Sequence, residues 1–182
     1  MLYAFAFERI GVVVSDLHFL DPDPLPGQET PESGVRLELR LFGRGELPGS
    51  VYSARPVEIG RPLWRVDLLQ DAGAAPYTFD RTHHHPAFNG WEPGARVFVE
   101  ELSSDPLVWL ADKLGNVSAL LKATGIAADE IPAADAEGLR TAAAEITDTV
   151  RRLLARVWSG DLARPVGDAD PATATGMRVS WL

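Results

Sequence analysis

The sequence predicts an α+β domain: an antiparallel sheet of about five or six strands from residues 1–102, covered by two C-terminal helices at 106–124 and 136–158. Three observations carry this. Apolar and charged residues alternate strictly through Val35-Arg36-Leu37-Glu38-Leu39-Arg40-Leu41, a two-residue period. After residue 102 the apolar spacing changes to three and four residues. Pro and Gly cut the first hundred residues into short pieces, as a strand-rich region with frequent turns requires.

The elements follow in order. Tyr3 to Val14 is aromatic and β-branched, and Tyr3, Phe5 and Phe7 alternate with Ala. Asp21 to Ser33 contains Pro22, Pro24, Pro26 and Pro31 without apolar periodicity, so it reads as a long loop over the sheet. Val35–Leu41 is the clearest strand, and Val57–Ile59 and Leu63–Leu69 are shorter ones separated by Gly60 and Pro62. Arg96–Leu102 is the last, with Val97 and Val99 inward and Arg96, Phe98 and Glu100 opposite. Asp105-Pro106 opens a helix, the carboxylate accepting from free N–H groups and Pro taking the first position. Leu107, Leu110, Leu114, Val117 and Leu121 form its stripe, and Gly125 stops it. In the second helix the stripe is Leu139, Ala143, Ile146, Val150, Leu153 and Val157, ended by Gly160. Such a helix either covers the sheet or offers a seam for dimerisation or partner docking. Residues 1–160 thus make a single α+β domain. Residues 161–176 are low in complexity and read as a flexible tether, and 177–182, where Met177, Val179 and Trp181 alternate, as a terminal strand or docking tail.

Composition narrows the function classes. The 182 residues carry 17 Lys+Arg against 26 Asp+Glu, a formal charge of −9, which disfavours whole-molecule attraction to nucleic acid or anionic membrane. There is no Cys, so disulfide frameworks, thiolate metal sites and cysteine nucleophiles are excluded together. No apolar run approaches ~18 residues, so no membrane helix is expected. The first nine residues lack the basic start of a signal peptide, which points to a soluble cytoplasmic protein. Between Arg36 and Arg65 the balance is locally basic, with six Arg and three Glu. That stretch is either the solvated face of the strands or a face that grips a phosphate or carboxylate.

Chemistry concentrates at His83-His84-His85. In an extended chain His83 and His85 point one way and His84 the other. Pro86 favours that extended conformation, and Asn89-Gly90 and Pro93-Gly94 signal turns beyond it, the latter suited to a type II turn. One reading makes His83 and His85 ligands of a divalent metal, completed by Asp80, Asp67 or Glu92. A second makes them an acid–base pair on an anionic substrate such as a phosphodiester, with Arg65 and Arg96 as anion clamps and Asp67 or Asp80 as orienting carboxylate. A third leaves the rings structural, bonded to loop carbonyls. The candidate partners are correspondingly a small anionic ligand or RNA, or a protein or second copy of the chain engaged through 136–158.

Leu63-Trp64-Arg65-Val66-Asp67, the element around His83 and His85, and the strand and Leu-rich helix that follow resemble the TumE family of toxin components. Those small proteins carry an Arg-x-Asp strand ahead of a His-x-His element. The likeness covers about Leu63 to Thr124, a third of the chain, and implies a nuclease-like or other toxic activity and a cognate antitoxin. This chain departs from the pattern in its length, its acidity, the wider gap between Asp67 and His83, and the long C-terminal helix.

Overall fold

The alternating run Val35–Leu41 forms the middle of a 13-residue strand, and its apolar members Val35, Leu37 and Leu39 are fully buried. In the structure, a computed structural model that describes residues 1–127 and 129–162, this strand, β3 (Glu32–Arg44), is central to a five-stranded antiparallel meander. Its companions are β1 (Leu2–Ala6), β2 (Ile10–Phe19), β4 (Val57–Asp71) and β5 (His83–His85), in the spatial order β1-β2-β3-β4-β5. A two-stranded ribbon, β6 (Phe88–Asn89) and β7 (Glu92–Pro93), follows. Four helices follow among the described residues: α1 (Glu100–Ser104), α2 (Pro106–Gly115), α3 (Val117–Ala123) and α4 (Ala133–Trp158). The α+β class and the antiparallel sheet are those the sequence predicts.

One sheet face packs on helices. Ile10, Val12 and Val14 of β2, the three apolar residues of β3, and Trp64, Val66 and Leu68 of β4 share a core with Leu110, Leu114, Leu139, Ile146 and Leu153. Val150 and Leu153, which a partner seam would need, are buried in that core, so this stripe is spent within the chain. The opposite face carries Arg36, Glu38 and Arg40 of β3. They are not a solvated fringe: Glu38 is buried and pairs with both Arg40 and Arg65.

Several boundaries differ from the sequence reading, each for an identifiable reason. Tyr3–Val14 is two strands, because the chain reverses at Phe7-Glu8-Arg9. The turn lacks Gly, Asn or Pro; the buried Asp135 of α4 instead accepts from the N–H groups of Glu8, Arg9 and Ile10 at 3.2, 2.6 and 3.1 Å. Conversely, Val57–Ile59 and Leu63–Leu69 are one strand, whose register with β3 shifts around Arg40, opposite Pro62. Arg96–Leu102 is not a strand. Val97 makes an isolated bridge to His84, and helix α1 begins at Glu100. The positive φ of the β6–β7 region sits at Gly90 (+63°) and not at Gly94, which corrects the type II turn placed on Pro93-Gly94. The 106–124 helix is broken at Asn116, whose side chain accepts from the Ala119 N–H and caps α3. Asp105 caps α2 as expected, through the Val108 N–H at 3.2 Å, and Gly125 stops α3 with φ +74°. The second helix starts three residues early, at Ala133. From residue 163 the expected tether, and all of the expected tail, lie outside the described residues. No helix among the described residues is long and apolar enough to cross a membrane.

Candidate metal centre

Antiparallel register places the chemistry. β4 and β5 pair Arg65 with His85 and Asp67 with His83, while β3 and β4 pair Arg36 with Asp67 and Glu38 with Arg65. Paired residues share a sheet face, so Arg36, Glu38, Arg65, Asp67, His83 and His85 all project from the side opposite the helices. His84 points into the core, its ring 5.2 Å from that of Trp109 and 6.3 Å from that of Trp64. Burial pushes its pKa down to about 4.

The two outward imidazoles are fixed by backbone carbonyls. Nδ1 of His83 lies 2.9 Å from the Arg81 oxygen, and Nδ1 of His85 lies 2.8 Å from the Gly94 oxygen. A carbonyl only accepts, so each Nδ1 carries the proton, and each neutral ring presents a lone pair at Nε2. These Nε2 atoms stand 3.5 and 3.9 Å from the same Asp67 oxygen, Oδ2. The ligand atoms of Asp67, His83 and His85 lie within 4.8 Å of one another, and all three residues are buried. Adjacent ligands of one ion at about 2.1 Å stand ~3.0–3.4 Å apart, so the set lies slightly open and closes around an ion by drawing in its most widely separated members by about an ångström or more. The group can hold a metal.

Its charge state is set by neighbours. Burial would raise the Asp67 pKa, but the Arg36 guanidinium, bonded to it at 2.6 and 3.1 Å, together with His83 and Arg65, holds it below the usual carboxylate value. Burial also lowers His83 and His85; for both, Asp67 and the carbonyl bond push the other way without reversing the shift. The site therefore has a carboxylate and two imidazoles that favour the neutral, ligating form.

Beside it is a hollow of about 250 Å³, lined by these three residues, Arg36, Arg65, Arg96, Phe19, Pro93 and Gly94. The ribbon and the segment after it cover the charged face: Arg65 lies 5.1 Å over the Phe88 ring, Arg40 5.4 Å over Trp91, and Phe98 5.5 Å from the His83 ring. A larger hollow of about 850 Å³ lies between α3 and the start of α4. Its charged lining residues are Lys122 and the exposed, mutually paired Glu137 and Arg140; Glu137 is a lone carboxylate with no imidazole or second carboxylate beside it in the lining, so the smaller hollow is the functional candidate.

Of the residues singled out in sequence, His83, His85, Asp67, Arg65 and Arg96 come together here. Asp80 does not. Its carboxylate accepts from the Asp71 N–H at 3.0 Å and the Thr78 hydroxyl at 3.2 Å, and faces Arg81. Glu92 is exposed on β7. Arg36 lies in the stretch whose arginines could grip an anion, but neither it nor Phe19 and Glu38 is marked individually by the sequence. Arg36 and Glu38 could be placed on one strand face, but nothing in the sequence says that Asp67 and Arg65 lie opposite them. In comparison with known proteins, no family model, curated protein or solved structure matches this chain.

Proposed function

We propose that Asp67, His83 and His85 bind one divalent transition-metal ion, and that this centre, open toward the adjoining hollow, is where the protein acts. The observation that carries this is the convergence of three acceptors. With Nδ1 committed to carbonyls, two Nε2 lone pairs converge on Asp67 Oδ2, which already accepts from Arg36 at 3.1 Å, and a cation between them would satisfy all three acceptors. Burial shifts both imidazoles toward the neutral form that ligates a cation. Two imidazoles and one carboxylate suit iron, manganese, cobalt or zinc and leave coordination positions free for water or substrate. A bound ion of this kind supplies Lewis acidity or an activated water.

A second reading uses the same rings without metal, one neutral imidazole taking a proton from the attacking group of an anionic substrate while the other, protonated from solvent as an imidazolium, gives its own to the leaving group. The fork of Arg36 on Asp67 favours it, because that guanidinium already neutralises the carboxylate and opposes an incoming cation. The TumE resemblance would place a phosphodiester in this role.

Elemental analysis and calorimetric titration of chelator-stripped, untagged protein with Zn(II), Mn(II) and Co(II) separate the two. The metal reading predicts one ion per chain, lost in His83→Ala/His85→Ala while the metal-free melting temperature moves by only a few degrees. A stripped protein that takes up no ion contradicts it, as does a double variant that binds like the parent.

A further inference from the structure

We infer that the hollow beside the metal group is a subsite for a small oxyanion, a carboxylate or a phosphate, which binds only after the metal and because of it. This rests on the metal reading above. Three guanidiniums line the hollow, which alone suggests an anion site, yet each already faces a carboxylate. Arg36 holds Asp67 through two bonds, Arg65 bonds to Glu38, and Arg96 pairs with Asp21. Glu32, only 3% exposed, is a fourth carboxyl within electrostatic reach of Arg96, Asp21 and Asp67. Arg40 shares Glu38 with Arg65, so four guanidiniums stand against the four carboxyls Asp67, Glu38, Asp21 and Glu32, and with neutral imidazoles the metal-free hollow offers an arriving anion little surplus positive charge.

A divalent ion between Asp67, His83 and His85 reverses that balance by two charges. Donors are already in place for the ligand it would attract. A guanidinium has five N–H groups, and Arg65 and Arg96 each commit only part of theirs to Glu38 and Asp21. Both line the hollow next to the His85 and His83 rings. A fork of N–H donors beside an open metal position fits an oxyanion that gives one oxygen to the ion and another to arginine. About 250 Å³ accommodates the oxyanion group itself, and the open side of the hollow leaves the rest of the ligand free to extend toward solvent. Phe19 and Pro93 supply apolar wall.

The test is calorimetric titration of acetate and of inorganic phosphate into metal-free and Zn(II)-loaded protein, with zinc retention checked afterwards. The expected result is affinity at least tenfold tighter in the loaded protein for one of the two anions, which assigns carboxylate or phosphate. Arg96→Gln should weaken that anion about fivefold or more while leaving zinc affinity within twofold. Arg65→Lys, which keeps the charge but loses the fork, should do the same if the first variant folds poorly. Zinc binding without binding of either anion, or equal anion affinity with and without zinc, overturns the inference alone. Failure to take up any of Zn(II), Mn(II) and Co(II) overturns the metal reading and this inference together.

Discussion

A histidine becomes a ligand or an acid according to what its second nitrogen touches. At His83 and His85 that nitrogen is held by main-chain oxygens of Arg81 and Gly94, so ring orientation is built into the backbone of β5 and of the segment after β7. Asp67 is the third member because it stands opposite His83 in the sheet, and it cannot be removed without consequence for Arg36. Asp67→Ala should abolish metal binding and also cost about 2–3 kcal/mol in denaturant unfolding, since the half-buried Arg36 guanidinium loses its counter-ion. His84 has the opposite assignment. Its folded pKa, near 4, lies below the unfolded value, so the unfolded chain binds more protons between the two. The stability it contributes is complete above about pH 6.5 and is lost as pH falls toward 4. In metal-free protein, His84→Phe should reduce the pH slope of stability over that window by up to one proton, measured by urea unfolding at a series of pH values. An unchanged slope would show that the His84 ring is not held neutral by the core. At this scale the sequence was informative about direction and not about pairing. The His-x-His alternation placed His83 and His85 on one face and His84 on the other, but the choice between Asp67 and Asp80 depends on strand register, which no local pattern encodes.

Among the elements, structure is legible in the sequence where local signals are strong. Strict alternation in β3, the Asp105-Pro106 start of α2 and the positive-φ Gly125 and Gly160 are short-range effects that a few residues determine. It is not legible where a distant group decides the conformation. The β1–β2 reversal has no turn residue because Asp135, more than a hundred positions away, accepts its three N–H groups. Asp135→Ala should therefore destabilise the protein by about 2–4 kcal/mol, more than a helix cap alone, because three partly buried donors lose their acceptor. A loss below ~0.5 kcal/mol in equilibrium unfolding would show that water replaces it. The β4–β5 connection was equally opaque. Tyr77 and Phe79 take positive φ values of 70° and 50° and pack against Trp158 at the end of α4, one ring tilted and the other edge-on, their centroids 4.0 and 5.3 Å from it. Non-glycine residues adopt such angles when packing compensates, and this loop carries the chain from Asp67 to His83 in correct register. For α4 itself, Leu153→Ala should cost about 2–5 kcal/mol as a cavity in the shared core.

For the whole molecule, a formal charge of −9 coexists with a site rich in arginine, because the guanidiniums are matched locally by Asp67, Glu38 and Asp21. Net charge and even the local excess of arginine between residues 36 and 65 are therefore poor guides to what the hollow accepts; the pairing is what matters. One sheet face is devoted to the helices and the other, under the β6–β7 ribbon, to ionic chemistry, a division the alternating sequence of β3 already contains. Binding of an ion to the folded state alone should raise the melting temperature with metal concentration, and this coupling should vanish in the histidine double variant. The most direct check on the account is long-range ¹H–¹⁵N correlation of the histidine rings in stripped protein near pH 7, followed by addition of Zn(II). His83 and His85 should both appear as neutral Nδ1–H tautomers, and zinc should shift their Nε2 signals while leaving those of His84 nearly unmoved. Nε2–H tautomers or imidazolium rings at either position, or Nε2 signals indifferent to zinc, would contradict it.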